Sequence, residues 1–307
     1  LHHNAAVTAS PETPRSISPE ISPEVGSTID AGGIVTNVHV AGSGPDVLLI
    51  HGSGPGVSAW ANWRMTIPAL AEHFRVIAPD IVGFGYTERP SGIRYDLPTW
   101  TTHAVAVLDA LGVERCHVIG NSFGGSLALS LAINHSERVS GLVLMGAAGV
   151  PFTITPGLEA VWGYEPSVEA MADLLRIFAY DQSLVGPDLA ELRFRASMRP
   201  GVQESFAAMF PAPRQQALDS ITHPLDAIAG IRNPTLVVHG RDDQVIPVAN
   251  AVTLMELIDD AQLHIFGRCG HWTQIEHAGA FNTMVTGFLR TIDTTSSAEF
   301  PKNPAVG

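Results

Sequence analysis

Lysine is almost missing from this chain: Lys302 is the only one, and the rest of the 17 basic residues are arginine. Against 30 acidic residues they leave a formal net charge of −13. Such a chain has no basic surface with which to neutralise a phosphate backbone, which excludes nucleic acid as a partner. Long apolar runs are missing too. None approaches the ~18–20 residues that a helix needs to cross a bilayer, so no membrane span is expected. Two cysteines, Cys116 and Cys269, are too few for a disulfide framework and read as reduced packing residues of a cytoplasmic protein. The thirteen histidines form no His-Glu-x-x-His pair and no cysteine partner lies at zinc spacing. The glycine loops at 52–56 and 120–125 are not followed by the lysine of a Walker loop. Neither a metal nor a cofactor is expected, and no internal repeat is present.

What the chain does have is a rhythm. Hydrophobic residues make up 45% of it, ample for a core. Ile34–Val40 alternates as a half-buried strand, and Val47–Ile50, Arg75–Pro79, Arg115–Ile119, Val139–Met145, Pro234–His239 and Gln262–Phe266 read as buried ones. Helical spacing fills Thr99–Leu111, Ser126–Ala132, 248–258 and 278–290. Strands alternating with helices predict βαβ units and an α/β fold built on a mostly parallel sheet. Between 151 and 225 the rhythm breaks into a helical stretch loaded with Phe152, Trp162, Tyr164, Phe178, Tyr180, Phe194, Phe206 and Phe210. It reads as a lid over the carboxyl ends of the strands, where open α/β sheets bind ligands. The organisation expected is a core of 27–150 and 226–293, the lid at 151–225 and a tail at 294–307. Residues 1–26, with Ser18-Pro19-Glu20 and Ser22-Pro23-Glu24, read as a disordered leader outside the fold.

Gly120-Asn121-Ser122-Phe123-Gly124 lies between a strand and a helix. A G-x-S-x-G in that context is a nucleophile elbow, a turn so sharp that its neighbours must be small. A serine hydroxyl needs a base, and His271 follows in Cys269-Gly270-His271-Trp272. Asp243, in Gly240-Arg241-Asp242-Asp243, would orient the imidazole. Asp242 is its rival and reads as a turn-former. The chain order Ser122, Asp243, His271 is that of the α/β-hydrolase fold. His51-Gly52-Ser53-Gly54-Pro55-Gly56 matches the oxyanion loop of that fold. The amide of Ser53 or Gly54 and that of Phe123 would bind the oxyanion, with His51 bracing the loop.

These four motifs, with the lid segments Trp162-Gly163-Tyr164-Glu165-Pro166-Ser167 and Phe178-Ala179-Tyr180-Asp181-Gln182-Ser183-Leu184, resemble the meta-cleavage product hydrolases. These are carbon–carbon bond hydrolases of bacterial aromatic-ring degradation, and the resemblance runs from about 28 to 291. It implies a small 2-hydroxy-6-oxo-dienoate substrate, a homo-oligomer, and substrate contacts from Asn62, Asn121, Ser183, Arg193 and Trp272. The chemistry agrees: such a substrate has a carboxylate and an enol oxygen at one end. A guanidinium fork at Arg193 suits the carboxylate. The expected reaction is tautomerisation to a keto form, then addition to the distal ketone and carbon–carbon cleavage. Trp162-Gly163-Tyr164, Phe123 and Ser53 resemble the branch acting on products of monocyclic aromatics, with a lid or elbow aromatic narrowing the distal pocket. The competing reading is a carboxylesterase or lactonase with the same triad, which needs no Arg193. A hydrolase-fold ligand receptor is a remoter one.

Overall fold

A computed structural model describes residues 22–299, with side chains described as far as 295. Eight strands form one sheet: β1 (Ser27–Asp30), β2 (Val35–Ala41), β3 (Asp46–Ile50), β4 (Arg75–Pro79), β5 (Cys116–Asn121), β6 (Val139–Met145), β7 (Thr235–Gly240) and β8 (Ala261–Phe266). Their spatial order is β1-β2-β4-β3-β5-β6-β7-β8. The first two pairings, β1 with β2 and β2 with β4, are antiparallel, and every later one is parallel.

The continuous apolar runs arise because the central strands are buried on both faces. Successive side chains point to opposite sides of the sheet, so each run is shared between two cores. Leu48, Ile50, Val118, Leu142, Leu144 and Val237 enter one core, with Trp100, Val107, Leu127 and Leu254 from helices Leu97–Ala110, Phe123–Asn134 and Val248–Leu257. Val47, Leu49, Ile119, Val143, Met145 and Val238 enter the other, with Trp63, Leu70, Phe281, Val285 and Leu289. Asp96 caps Leu97–Ala110 by accepting from Thr99 N–H.

Between β6 and β7 the chain runs through helices Pro156–Trp162, Val168–Phe178, Pro187–Ser197, Val202–Met209 and Arg214–Asp219. Val168–Phe178 is typical of the insertion: it buries Met171, Leu174, Leu175 and Phe178, the i, i+3, i+4, i+7 stripe of an amphipathic helix. Trp162 stacks on Phe210 with ring centroids 4.3 Å apart.

At both ends the chain departs from expectation. Residues 1–21 of the expected leader and 300–307 of the expected tail lie outside the described residues. Residues 22–26, however, pack onto the fold: Glu24 is 7% exposed, and its carbonyl accepts from Asn37 Nδ2. Their Ser-Pro-Glu composition hid this, because one buried ion pair leaves no periodic trace. The polar strand β1 escaped notice for a similar reason, being a short, largely exposed edge. The last helix, Ala278–Glu299, runs on into the segment expected as tail.

Candidate active site

Ser122 stands at the end of β5 with φ 56° and ψ −118°. Among the described non-glycine residues only Arg268 shares a positive φ, and such a conformation persists only where its surroundings enforce it. Here Ser122 N–H donates to Met145 O at 2.9 Å, and Ser122 O accepts from Ala148 N–H at 3.0 Å. The glycines of the motif are needed for space. A Cβ at Gly120 would overlap the Gly124 carbonyl, and one at Gly124 would overlap the Ile50 carbonyl on β3. Helix Phe123–Asn134 begins at the next residue, so the Phe123 amide has no intrahelical acceptor and marks the positive end of the helix dipole.

His271 follows β8, and its N–H donates to Phe178 O at 2.7 Å. Its ring Nδ1 donates to Asp243 Oδ2 at 2.7 Å. The Asp243 side chain is fully buried. Its Oδ1 accepts from the amides of Val245 and Ile246 at 2.7 and 3.0 Å. Burial by itself would raise the pKa of this carboxyl, but the His271 charge and hydrogen bonds from His239 and His271 outweigh it and hold it well below the usual range. The rival Asp242 instead faces the rim, accepting from Arg241 Nη2 and Cys269 N–H. Asp and His loops meet so closely that a Cβ at Gly240 would overlap the Gly270 carbonyl.

The loop after β3 is braced as its histidine suggested. His51 Nδ1 donates to Gly52 O at 2.7 Å, while Nε2 accepts from Ile81 N–H at 3.0 Å. Burial keeps its pKa below the ordinary histidine value. Ser53 Oγ accepts from Trp162 Nε1 at 3.0 Å, tying the helical insertion to this loop.

One cavity gathers most of the residues named from sequence: Ser53, Gly54, Asn62, Asn121, Ser122, Arg193, His271 and Trp272 all line it. Asn62 Nδ2 donates to Asn121 Oδ1 at 3.0 Å, and the buried Asn62 Oδ1 has no partner among the described residues. Phe123 can contribute only its backbone. Its ring points away into the core, edge-on to Trp100 at 4.8 Å, so the elbow aromatic does not narrow the cavity. Leu158, Val161, Met171, Leu175 and Phe178 of the insertion do. Ser183 is the residue that the structure leaves out. It is exposed on a short turn, and its hydroxyl donates to Asp181 at 2.6 Å.

Three contributors escaped the sequence reading. Glu24 Oε1 accepts from Arg193 Nη1 at 2.7 Å. Arg64 lines the cavity beside Asn62; Asn62-Trp63-Arg64, on a short helix, was its only signal. His239 in β7 is fully buried, and its Nε2 lies 3.0 Å from Ile246 O and 3.2 Å from Asp243 Oδ2. Burial among apolar strand neighbours made it look like packing. Both cysteines are free and buried, and burial pushes each thiol up to about 12. Among the described residues no group of three or more His, Cys, Asp or Glu is placed to hold a metal.

A strained serine after the central strand, a histidine on an aspartate and a glycine loop beside them define the architecture of an α/β hydrolase. Residues 45–278 match the family described as the alpha/beta hydrolase fold. The chain is 57% identical over 279 residues to a 2-hydroxymuconate semialdehyde hydrolase of Pseudomonas sp. (strain CF600), covering 91% of this chain and 99% of that one. It is 55% identical to a 2-hydroxy-6-oxo-2,4-heptadienoate hydrolase of Pseudomonas putida, over 89% of this chain and 99% of the relative. A solved meta-cleavage product hydrolase from Pseudomonas fluorescens IP01, complexed with acetates, superimposes with a TM-score of 0.87 at 55% identity, covering 87% of this chain and 98% of its own. The chain belongs to the meta-cleavage product hydrolases of the α/β-hydrolase fold, and is an enzyme.

Proposed function

We propose that the protein hydrolyses a carbon–carbon bond in 2-hydroxy-6-oxo-2,4-dienoates. The products are 2-hydroxypenta-2,4-dienoate and a carboxylic acid. The observation that carries this reading is the cavity wall. It joins Ser122 and His271 to Asn62, Asn121, Arg193 and Trp272, and among the described residues no acidic one lines it. An ester of a neutral acid would need no such cationic corner, which sets the carboxylesterase reading behind this one.

In this mechanism the dienol first becomes a ketone at C2, which makes the leaving carbon chain an electron sink. His271 Nε2, held in register by Asp243, takes the proton of Ser122 Oγ or of a water as its oxygen adds to the C6 carbonyl. The amides of Phe123 and of Ser53 or Gly54 stabilise the oxyanion. Collapse of the adduct breaks C5–C6. The dienoate fragment takes a proton and the C6 carbon keeps the added oxygen; where that oxygen is Ser122 Oγ, water activated by His271 then hydrolyses the ester to free the acid and the serine, so that one water is consumed overall by either route. Asn62, Asn121 and Trp272 hold the polar end of the substrate, and Arg193 borders it. Residues 151–225 act as the lid. The enzyme works as a homo-oligomer in the cytoplasm; light scattering tests the former.

The relatives at 57%, 55% and 52% identity carry semialdehyde or heptadienoate names, whereas those named for aryl dienoates stand at 36% and 35%. A hydrogen or methyl at C6 therefore suits this site better than a phenyl, which the lid side chains would crowd. Overpacking by a few carbons costs ~1–3 kcal/mol. The experiment mixes purified protein with each yellow dienoate and follows loss of its absorbance. We expect kcat/KM for 2-hydroxymuconic semialdehyde or 2-hydroxy-6-oxo-hepta-2,4-dienoate to exceed that for the 6-phenyl dienoate by about tenfold. The reverse order would overturn the branch, and no cleavage of any of them would overturn the reaction.

A further inference from the structure

Three parts of the chain meet at one carboxylate. Glu24 belongs to the segment before β1, Ser58 caps helix Ala59–Trp63, and Arg193 sits on helix Pro187–Ser197 of the insertion. Glu24 Oε1 accepts from Arg193 Nη1 at 2.7 Å, and Glu24 Oε2 accepts from Ser58 Oγ at 2.7 Å. The Glu24 backbone is anchored as well. Its carbonyl accepts from Asn37 Nδ2 at 3.0 Å and lies 3.1 Å from His39 Nε2, both residues of β2. The core thus fixes this carboxylate independently of the insertion. Arg193 lines the cavity and Glu24 does not.

We propose that Glu24 is the positioning residue for Arg193: it holds the guanidinium where its free N–H donors meet the substrate carboxylate, acting through the arginine without touching substrate itself. This inference rests on the dienoate reading above and deepens it. An arginine side chain has many rotamers, and ordering one on binding weakens affinity. Two handholds remove that freedom here, since Nη1 is tied to Glu24 and Nη2 donates to Gly56 O at 2.6 Å. The other donors of the fork have no acceptor among the described residues and stay available for a carboxylate. Gly56 is itself wedged against the arginine's helix: its φ is 71°, and a Cβ on it would overlap the backbone of Ser197.

The charge of Glu24 has an opposing effect, because a guanidinium beside one carboxylate attracts a second less strongly. The grip outweighs it. Without Glu24 the guanidinium keeps only Gly56 O, a single hinge about which the planar fork turns, and a misdirected fork loses its paired contact. The Arg193 and Glu24 side chains are only 13% and 9% exposed, so little water is at hand to replace the lost partner. Ser58 extends the same grip to the core side of the site. Its Oγ accepts from Ala61 N–H at 3.1 Å, capping the helix that carries Asn62. One carboxylate thereby sets the arginine of the insertion against the amide that shares the polar end of the substrate.

The test measures KM and kcat on 2-hydroxy-6-oxo-hepta-2,4-dienoate for wild type, Glu24→Ala, Glu24→Gln, Arg193→Gln and the variant carrying both Glu24→Ala and Arg193→Gln. Glu24→Ala should raise KM about fivefold or more, with kcat changed by less than about threefold. Glu24→Gln, which keeps an acceptor oxygen and loses the charge, should fall between it and wild type. KM does not depend on how much enzyme is folded, so a purely structural loss would lower the apparent kcat alone. In the Arg193→Gln background, Glu24→Ala should raise KM no further, because residues acting through one contact are not additive. A KM at or below the wild-type value in both Glu24 variants would show that the charge effect wins. An equal rise with and without Arg193 would show that Glu24 acts elsewhere. Either result overturns the proposal. If Glu24→Ala does not fold, Glu24→Gln decides by the same comparison. Wild-type protein that leaves the dienoate intact would instead refute the reaction itself, a distinguishable failure.

Discussion

Ser122 owes its place on the cavity wall to a backbone it would not choose. The left-handed φ of 56° turns the chain from strand to helix within one residue and sets the hydroxyl at the cavity. His271 reaches the same cavity with Nδ1 committed to Asp243. The serine, histidine and aspartate would then act as a unit. Ser122→Ala and His271→Ala are each expected to lower steady-state dienoate cleavage by about 10³-fold or more. Either variant retaining a tenth of the wild-type rate would take that residue out of the reaction. His239 adds a quieter demand at this scale. It gives the Asp243 carboxylate a further donor while its own Nδ1 has no partner among the described residues. His239→Phe removes that donor and should cost cleavage about tenfold, with the ester and the dienoate affected alike because the loss acts through Asp243.

At the scale of elements, the elbow works because strand, turn and helix pack with no room to spare. Gly124 lies against the backbone of β3, so Gly124→Ala forces backbone apart rather than a flexible side chain. A destabilisation of about 2 kcal/mol or more is expected, read as a lowered urea midpoint; an unchanged midpoint would show that the elbow can relax. These elements were legible because each advertises itself locally. Ile119 and Val143 announce buried strands by composition, and Gly120 and Gly124 announce the turn by their need for space. β1 was not legible: Ser27-Thr28-Ile29-Asp30 is polar and short, and only pairing with β2 makes it a strand. Ser183 lies off the cavity wall for the converse reason. Its motif places it in the insertion, but the local turn directs its hydroxyl to Asp181.

For the whole molecule, the far end of the chain's first described segment matters as much as its centre. Glu24 joins residues 22–26 to the core through Ser58 and to the insertion through Arg193. Burial would raise its pKa, but Arg193 and its hydrogen bonds lower it below the ordinary 4.5. A carboxylate with a depressed folded pKa contributes stability that is present above its unfolded value and lost as pH falls through the folded one. Glu24→Gln should therefore cost about 2 kcal/mol near neutral pH, with the gap from wild type closing below about pH 4. Urea unfolding across that range checks it, and a gap that stays constant with pH would rule the ion pair out as the cause.

The sequence by itself determined the sheet, the elbow and the order Ser122, Asp243, His271, because alternation, apolar runs and obligatory glycines are properties of neighbours along the chain. Only the tertiary structure decided how the charges compensate. Glu24 meets Arg193 across 169 residues of sequence, and His239 meets Asp243. Electrostatic pairing depends on distance through space and on withdrawal from water, and neither quantity exists until the chain has closed on itself.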